Sequence, residues 1–187
     1  MVQDSQAKII ESQIRELYGR VVWTHKTQEK CADIILRRHT RLKITQIILS
    51  ALTTTGILVA VFGENMIVGI LSAIVSSVLF GINTYTKDYD LGEIAQKHSI
   101  AASELWNIRE SYLSLLSDLK LGMLDINDVI SRRDVLQEQL YNTYRGAPRT
   151  LSLAYNQASK GLKNNEELTF SSEEIDRLLP EELRYSK

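Results

Sequence analysis

Residues 42–62 read LKITQIILSALTTTGILVAVF, and residues 66–85 read MIVGILSAIVSSVLFGINTY. A helix of 20 residues is about 30 Å long, which is the thickness of the hydrocarbon core of a bilayer. Only residues 63–65 connect the two stretches, so the helices must run antiparallel. The sequence therefore predicts a transmembrane helical hairpin. A buried hairpin in a soluble bundle is the alternative, but neither stretch has a polar face broad enough to meet water.

The charged residues surround this hairpin and avoid it. Residues 44–85 carry a single charge, Glu64, although the chain of 187 residues has 22 Lys and Arg and 23 Asp and Glu. Four basic residues precede the hairpin and one follows it: Arg37, Arg38, Arg41, Lys43 and Lys87. Because the connecting loop has no Lys or Arg, the positive-inside rule predicts that both termini are cytoplasmic. The net charge of −1 argues against direct nucleic-acid binding by bulk charge.

Each apolar stretch carries a row of polar or small residues along one side of its helix. We take six of these residues as candidates for lining a pore: Gln46, Ser50, Thr53, Ser72, Ser76 and Asn83. Close helix–helix packing through small and hydroxyl side chains is the alternative explanation for such a row. The amide side chains of Gln46 and Asn83 are harder to explain by packing, because an amide inside hydrocarbon needs a hydrogen-bond partner or water. Lys43 lies at the edge of the first stretch, and neither stretch has an internal Asp, Glu, Lys, Arg or His, which argues against a proton relay or an ion-coupled transporter.

Heptad repeats flank the hairpin on both sides. The first seam is Ile10, Ile14, Leu17, Val21, Thr24, Gln28, Cys31 and Ile35. The second seam is Leu91, Ile94, His98, Ala101, Leu105, Ile108, Tyr112, Leu115 and Leu119. The 3-4 spacing predicts two long helices that pack as an antiparallel coiled-coil stalk continuous with the hairpin.

Three shorter helices are predicted after Gly122. Their N-caps are expected at Asp125 or Asn127, at Thr150, and at Ser171, the last forming a capping box with Glu174. Residues 163–169 read as a polar linker. Asp90 and Glu93 predict a further capping box at the start of the second stalk helix. The expected fold is all-α, with segments 1–41 (cytoplasmic helix), 42–85 (transmembrane hairpin), 86–122 (cytoplasmic helix) and 123–187 (C-terminal helices and tail).

The residues give no reason to propose catalysis, a metal or a cofactor. There is no Gly-rich phosphate loop, no nucleophile elbow and no zinc-binding motif. We interpret His25 and Glu29 as a pair on a solvated face, and His98 as a hydrogen-bonded histidine of the second seam. Cys31, the only cysteine, is expected to be a small buried residue.

The sequence resembles the bacterial SLATT family. The resemblance rests on LYGRVVWTHKTQEKCAD at residues 17–33, the basic patch that leads into ALTTTG at 51–56, and IDRLLPEELR at 175–184. It implies a two-transmembrane protein with a long cytoplasmic helical extension and no catalytic residues. It further implies a pore-forming or membrane-disrupting effector of a bacterial conflict system, of the kind linked to nucleotide-signalling antiviral systems and to some reverse transcriptases.

The resemblance and the sequence together set the expectations for partners. We expect a multi-pass protein of the bacterial inner membrane that contacts the lipid bilayer and forms a homo-oligomer, since two helices enclose no lumen. Nothing in the sequence resembles a fused nucleotide-sensing domain, so a cytoplasmic activator protein is a further expected partner. Two alternatives stay open. One is a membrane-anchored scaffold that recruits a cytoplasmic partner, and the other is an accessory subunit of a transporter.

Overall fold

Helices account for all the regular secondary structure in the computed structural model, which describes residues 2–185 and the side chains of residues 6–185. Their bounds are α1 Val2–Phe62, α2 Met66–Asp88, α3 Leu91–Lys120, α4 Ile126–Gly146, α5 Ser152–Lys163 and α6 Ser172–Leu178, with a 3₁₀ turn at Glu181–Leu183. The predicted all-α class is confirmed. Met1, Ser186 and Lys187, at the ends of the first and last predicted segments, lie outside the described residues.

Helix α1 is a single helix of 61 residues, which corresponds to a length of about 90 Å. The chain has no proline before Pro148, so nothing removes a backbone donor along this helix. The boundary expected between residues 41 and 42 therefore falls inside α1. The first stalk helix and the first membrane stretch are one continuous rod.

The turn between α1 and α2 depends on one close backbone approach. A Cβ on Gly63 would lie 2.6 Å from the carbonyl oxygen of Val59, so only glycine fits there. Glu64 follows in the left-handed conformation, with φ 51°. The side chain of Asn65 then accepts a hydrogen bond from the Val68 N–H (3.2 Å) and caps α2. The chain reverses within three residues, and α2 packs along α1.

The N-cap predictions hold at three of four helices. Asp90 caps α3 by accepting from the N–H groups of Gly92 and Glu93, and Asp125 caps α4 in the same way. The capping box at Ser171 forms in full. The box predicted at Asp90 forms only in half, because the Glu93 carboxylate pairs with Lys97 (2.7 Å).

Helix α5 begins differently from the prediction. Leu151, not Thr150, occupies its N-cap position, and no side chain caps it. The Leu151 N–H donates instead to the Sγ of Cys31 (3.3 Å), and the Leu151 side chain packs against Cys31, Ile34 and Ala154. Contact with α1 therefore determines where α5 starts.

The stalk core confirms most of both seams. Helix α3 runs back along α1, and α4 packs on the outside of α3. The buried cluster that joins these three helices is Ile14, Leu17, Val21, Leu105, Ile108, Tyr112, Leu115, Val129 and Leu136. Gly122, with φ +67°, follows the C-cap Leu121 as a left-handed residue and terminates α3.

A polar pair interrupts this apolar core near the middle of the stalk. His98 is 1% exposed and Gln28 is 2% exposed, and the His98 Nδ1 faces the Gln28 Oε1 within hydrogen-bond distance. Since Oε1 can only accept, Nδ1 carries the proton and donates. Thr24 hydrogen-bonds the Tyr144 hydroxyl of α4 (2.9 Å) one turn away. A buried polar pair of this kind favours one register between two long helices.

Burial lowers the pKa of His98 and of His25 below the usual 6.5. Below pH 6.5 the unfolded chain takes up protons that these two folded-state imidazoles do not, so the free energy of unfolding must fall as the pH falls. We expect the thermal midpoint of the detergent-solubilised protein to drop between pH 7.5 and pH 5.5. The loss is at most about 1.4 kcal/mol per pH unit for each histidine.

The variant Gln28→Leu/His98→Leu replaces the polar pair with apolar side chains and removes one of the two titrating groups. Its thermal midpoint should depend less on pH over the same range. If the midpoint of this variant fell as steeply as that of the unmodified protein, His98 would not be a source of the pH dependence.

Candidate functional site in the transmembrane hairpin

The interface between α1 and α2 is built from small side chains. Thr53 is 9% exposed and Ser72 is 6% exposed, and both lie between the two helices. Their hydroxyls donate to carbonyl oxygens of their own helices, those of Leu49 and Val68 respectively (2.8 Å each). These hydroxyl groups are therefore satisfied within each helix, and the contact between the helices is a close packing of small groups.

Gly56 marks a close approach between α1 and α2. A Cβ at this position would lie 2.0 Å from the Ser72 Oγ and 3.2 Å from the Ser72 Cβ. Gly81, in the same hairpin, has nothing within 4 Å of such a Cβ. Of these two glycines, only Gly56 is required by the packing of the helices.

Three polar side chains join the two helices at the stalk end of the hairpin. The Gln46 Nε2 donates to the Asn83 Oδ1 (2.9 Å) and to the Thr86 Oγ1 (3.0 Å). This cluster supplies the partner that an amide needs near hydrocarbon. It also fixes the antiparallel register of α1 and α2.

The six candidate pore-lining residues do not all occupy one surface. Thr53 and Ser72 are buried inside the hairpin, and Gln46 is half-buried in the amide cluster. Ser50, Ser76 and Asn83 are exposed. Residues three apart on a helix differ by about 60° in direction, and this difference separates Thr53 from Ser50. The pore-lining role of all six residues stays a prediction.

The outer surface of the hairpin is apolar and unpaired. In the most apolar 18 residues of each helix, Thr53 and Ser72 are the buried exceptions. Large side chains such as Ile47, Phe62, Ile67 and Phe80 are 69 to 82% exposed. A surface of this size and polarity is matched by lipid rather than by water.

A groove of ≈ 620 Å³ interrupts this outer surface near the stalk end. Lys43, Ser50 and Ala51 of α1 lie on one side, and Leu79 and Asn83 of α2 lie on the other. Three of the exposed basic residues that precede the hairpin, Arg37, Arg38 and Arg41, lie on α1 just outside it.

The linker predicted at residues 163–169 folds back onto the stalk through Glu167. Its carboxylate lies 2.8 Å from the Nζ of Lys26 and 3.3 Å from the Nζ of Lys30, both on α1. Hydrogen bonds from these two lysines lower the pKa of Glu167 to about 2. The sequence contained a signal for this contact, since Lys26 and Lys30 are four residues apart on one helix face.

The backbone around Glu167 is held in a restricted conformation. Glu166 and Leu168 are both left-handed, with φ 52° and 76°. Such conformations are unfavourable for residues other than glycine and persist only where surrounding contacts enforce them. The Glu167 N–H donates to the Gly161 carbonyl (3.0 Å), and a Cβ on Gly161 would lie 3.0 Å from the Glu167 carboxylate. We call α5 and residues 164–169 together the clamp.

Aromatic and polar contacts complete the docking of the clamp on α1. The rings of Trp23 and Tyr155 lie 5.7 Å apart, and the Lys163 Nζ lies 5.4 Å from the Trp23 ring centre. His25 is 4% exposed, so its interpretation as a residue of a solvated face was wrong. The stalk buries more of α1 than a single seam, because α3 and α5 cover two different faces of this helix.

The family model described as "SMODS and SLOG-associating 2TM effector domain family 4" matches residues 10–174. The chain belongs to this family. The match confirms the resemblance noted from the sequence and covers the hairpin, the stalk and the clamp. No curated protein and no solved structure shows significant similarity to the chain.

Membership of this SLATT family, together with two long apolar helices, indicates a membrane protein with two spans. The family consists of effector domains, which implies an effector of a conflict or antiviral system. Among the described residues, no group of three or more His, Cys, Asp and Glu side chains could hold a metal ion.

Gly56→Ala is expected to destabilise the hairpin. The added methyl group forces the Ser72 hydroxyl away from its bond to Val68 or separates the two helices, at a cost of about 1–3 kcal/mol. Unfolding in mixed micelles, followed by circular dichroism, measures this difference. Gly81→Ala is the matched control and should be neutral or stabilising, because its Cβ meets nothing. Equal stability of the two variants would contradict the packing described for Gly56.

Glu167→Gln is expected to loosen the clamp, because it removes the charge that pairs with Lys26 and Lys30. Hydrogen exchange followed by mass spectrometry should show faster exchange in residues 164–169 of this variant. Glu166→Gln is the matched control, because the Glu166 carboxylate is next in sequence but does not pair with Lys26 or Lys30. Residues 164–169 of this variant should exchange as fast as those of the unmodified protein.

The ion pairs of Glu167 with Lys26 and Lys30 predict that the clamp becomes less stable in acid. The folded-state pKa of Glu167 is depressed, so its stabilising effect is present above pH 4.5 and is lost as the pH falls toward 2. If Glu167→Gln left the exchange of the linker unchanged, the ion pairs would not be what holds the clamp.

Proposed function

We propose that the protein is a pore-forming or membrane-disrupting effector of a bacterial antiviral or conflict system. It resides in the inner membrane with both termini in the cytoplasm, is not an enzyme, and acts as a homo-oligomer. An upstream signal or a cytoplasmic activator protein triggers it. Growth arrest or death of the infected cell follows from loss of the membrane barrier.

The observation that carries this proposal is the presence of unpaired polar groups on the outer surface of the hairpin. Ser50 and Ser76 are exposed, and neither hydroxyl has a hydrogen bond among the described residues, whereas Thr53, Thr54, Ser72 and Ser77 all bond to their own backbones. Polar groups that face outward in hydrocarbon mark the wall of an aqueous path when several copies assemble. A single hairpin has no lumen, so the assembly is part of the mechanism.

The continuity of α1 offers a route for the trigger. The clamp contacts α1 at Trp23, Lys26 and Lys30, and the same helix continues into the membrane stretch without a break. A partner that displaces the clamp frees a face of α1, and stalks can then pair with one another. Such a partner shifts the equilibrium only by as much as it prefers the released state.

The scaffold alternative has an observation of its own. Ile100, Trp106 and Leu113 of α3 are 45 to 52% exposed on the stalk. Trp106 and Leu113 are seven residues apart and so lie on one face of α3, which suits the recruitment of a cytoplasmic partner by a hairpin that serves only as an anchor.

Membrane depolarisation in bacteria induced to express the full chain tests the proposal. High expression populates oligomers by mass action even without the native trigger. We expect rapid depolarisation and growth arrest with the unmodified chain. The variant Ser50→Leu/Ser76→Leu should depolarise at least tenfold more slowly at equal membrane abundance, because it removes two unpaired hydroxyls from the pore wall.

The matched control is Thr53→Val/Ser72→Ala, which changes two polar residues inside the hairpin. If Ser50→Leu/Ser76→Leu slows depolarisation and the control does not, the pore wall consists of the outward-facing candidates. Full activity of both variants would remove these four residues from the pore assignment. Normal growth and polarisation at high abundance of the unmodified chain, with and without its genomic neighbours, would favour the scaffold.

A further inference from the structure

The groove on the outer surface of the hairpin combines apolar walls with polar groups at graded depth. Lys43 lies at its stalk end, and Ser50 lies seven residues further along α1, which is about 10 Å deeper. Ile47, Ala51 and Leu79 supply the apolar lining. The Thr54 hydroxyl, at the deep end, bonds to the Ser50 carbonyl (3.0 Å), so it offers no donor to an occupant.

Four hydrogen-bond donors of this groove have no acceptor among the described residues, those of Lys43, Asn83, Ser50 and, at the deep end, Thr55. The Asn83 side chain accepts from Gln46 through its oxygen, which leaves its amide N–H groups unpaired. The Ser50 hydroxyl has no hydrogen-bond partner within the described part of the chain, and Lys43 has no hydrogen bond or close ion pair there. The charge of Lys43 acts on the Asp90 carboxylate only at longer range, where it adds to the backbone hydrogen bonds that lower the pKa of Asp90. Unpaired donors at the edge of hydrocarbon require acceptors from outside the chain.

Lys43 is the charged residue of the groove, and it is available to a ligand. The nearby carboxylate of Asp90 is engaged by the N–H groups of Gly92 and Glu93 (2.9 and 3.0 Å). Arg37, Arg38 and Arg41 precede Lys43 on the same helix and are exposed. Such a basic cluster beside a membrane span attracts anionic headgroups from the adjoining leaflet.

We propose that this groove is a binding site for one anionic phospholipid of the bilayer. The lipid phosphate pairs with Lys43, the ester oxygens accept from Asn83 and Ser50, and one acyl chain lies against Ile47, Ala51 and Leu79. Lys43 lies at the stalk end and the ester partners Asn83 and Ser50 lie deeper, which matches the order of phosphate and ester along a phospholipid. The site belongs to the single chain before it assembles. In the assembled pore proposed above, the lipid has left the groove and Ser50 and Asn83 face the aqueous path.

Native mass spectrometry of the full chain tests this site. The protein is released from micelles that contain equal amounts of phosphatidylglycerol and phosphatidylethanolamine. We expect one phosphatidylglycerol per chain, retained about fivefold in preference to phosphatidylethanolamine. Lys43→Gln should remove the preference, and Ala51→Phe, which fills the groove, should remove retention of both lipids.

Two variants outside the groove are the matched controls. Arg41→Gln removes an exposed positive charge, and Ala73→Phe enlarges an exposed alanine of α2, but neither residue lines the groove. Both variants should retain phosphatidylglycerol with the same preference as the unmodified chain. Circular dichroism verifies that each variant is folded, and Ala51→Leu replaces Ala51→Phe if the larger side chain disrupts the hairpin.

Several outcomes would overturn the proposal. Equal retention of the two lipids, or equal loss in Lys43→Gln and Arg41→Gln, would mean that lipid binds without a specific site. Dimers of the lipid-free chain that disappear in Ala51→Phe but not in Ala73→Phe would mean that a second copy occupies the groove. Because this measurement needs no conductance, its failure is separate from failure of the pore.

Discussion

No water is available inside the hydrocarbon core of a bilayer to pair with a backbone N–H or C=O group. Each span must therefore satisfy its own backbone, and here α1 does so in one helix of 61 residues that starts in the stalk. The other helices depend on α1 because most of them pack directly against it. Helix α2 packs on its membrane half, and α3 and α5 pack on its stalk half.

This arrangement makes α1 a mechanical link between two different environments. At the stalk, α1 carries the buried Gln28–His98 pair and the lysines that hold Glu167. In the membrane, the same helix carries the close contact at Gly56 and the exposed hydroxyl of Ser50. No residue between the two halves breaks the helix, so the stalk half and the membrane half of α1 are joined without a flexible segment.

The clamp and the hairpin differ in how they are stabilised. The hairpin is held by small groups in close contact and by the amide cluster of Gln46, Asn83 and Thr86. The clamp is held by half-buried ion pairs from Lys26 and Lys30 to Glu167 and by the contact of Trp23 with Tyr155. Half-buried ion pairs are screened by salt less than exposed ones but still depend on charge, so the clamp becomes less stable in acid.

The sequence by itself determined the all-α class, the hairpin, the two seams and most helix caps, because periodicity, span length and capping chemistry are local properties. It also identified Gln46 and Asn83 as residues that need partners. Only the tertiary structure decided that Thr53 and Ser72 are buried between the helices while Ser50 and Ser76 face outward, that His25 is buried, and that Glu167 returns to α1. Each of these depends on which faces of α1 meet α2, α3 and α5. Contacts between residues more than a hundred positions apart, such as Cys31 with Leu151, leave no period in the sequence.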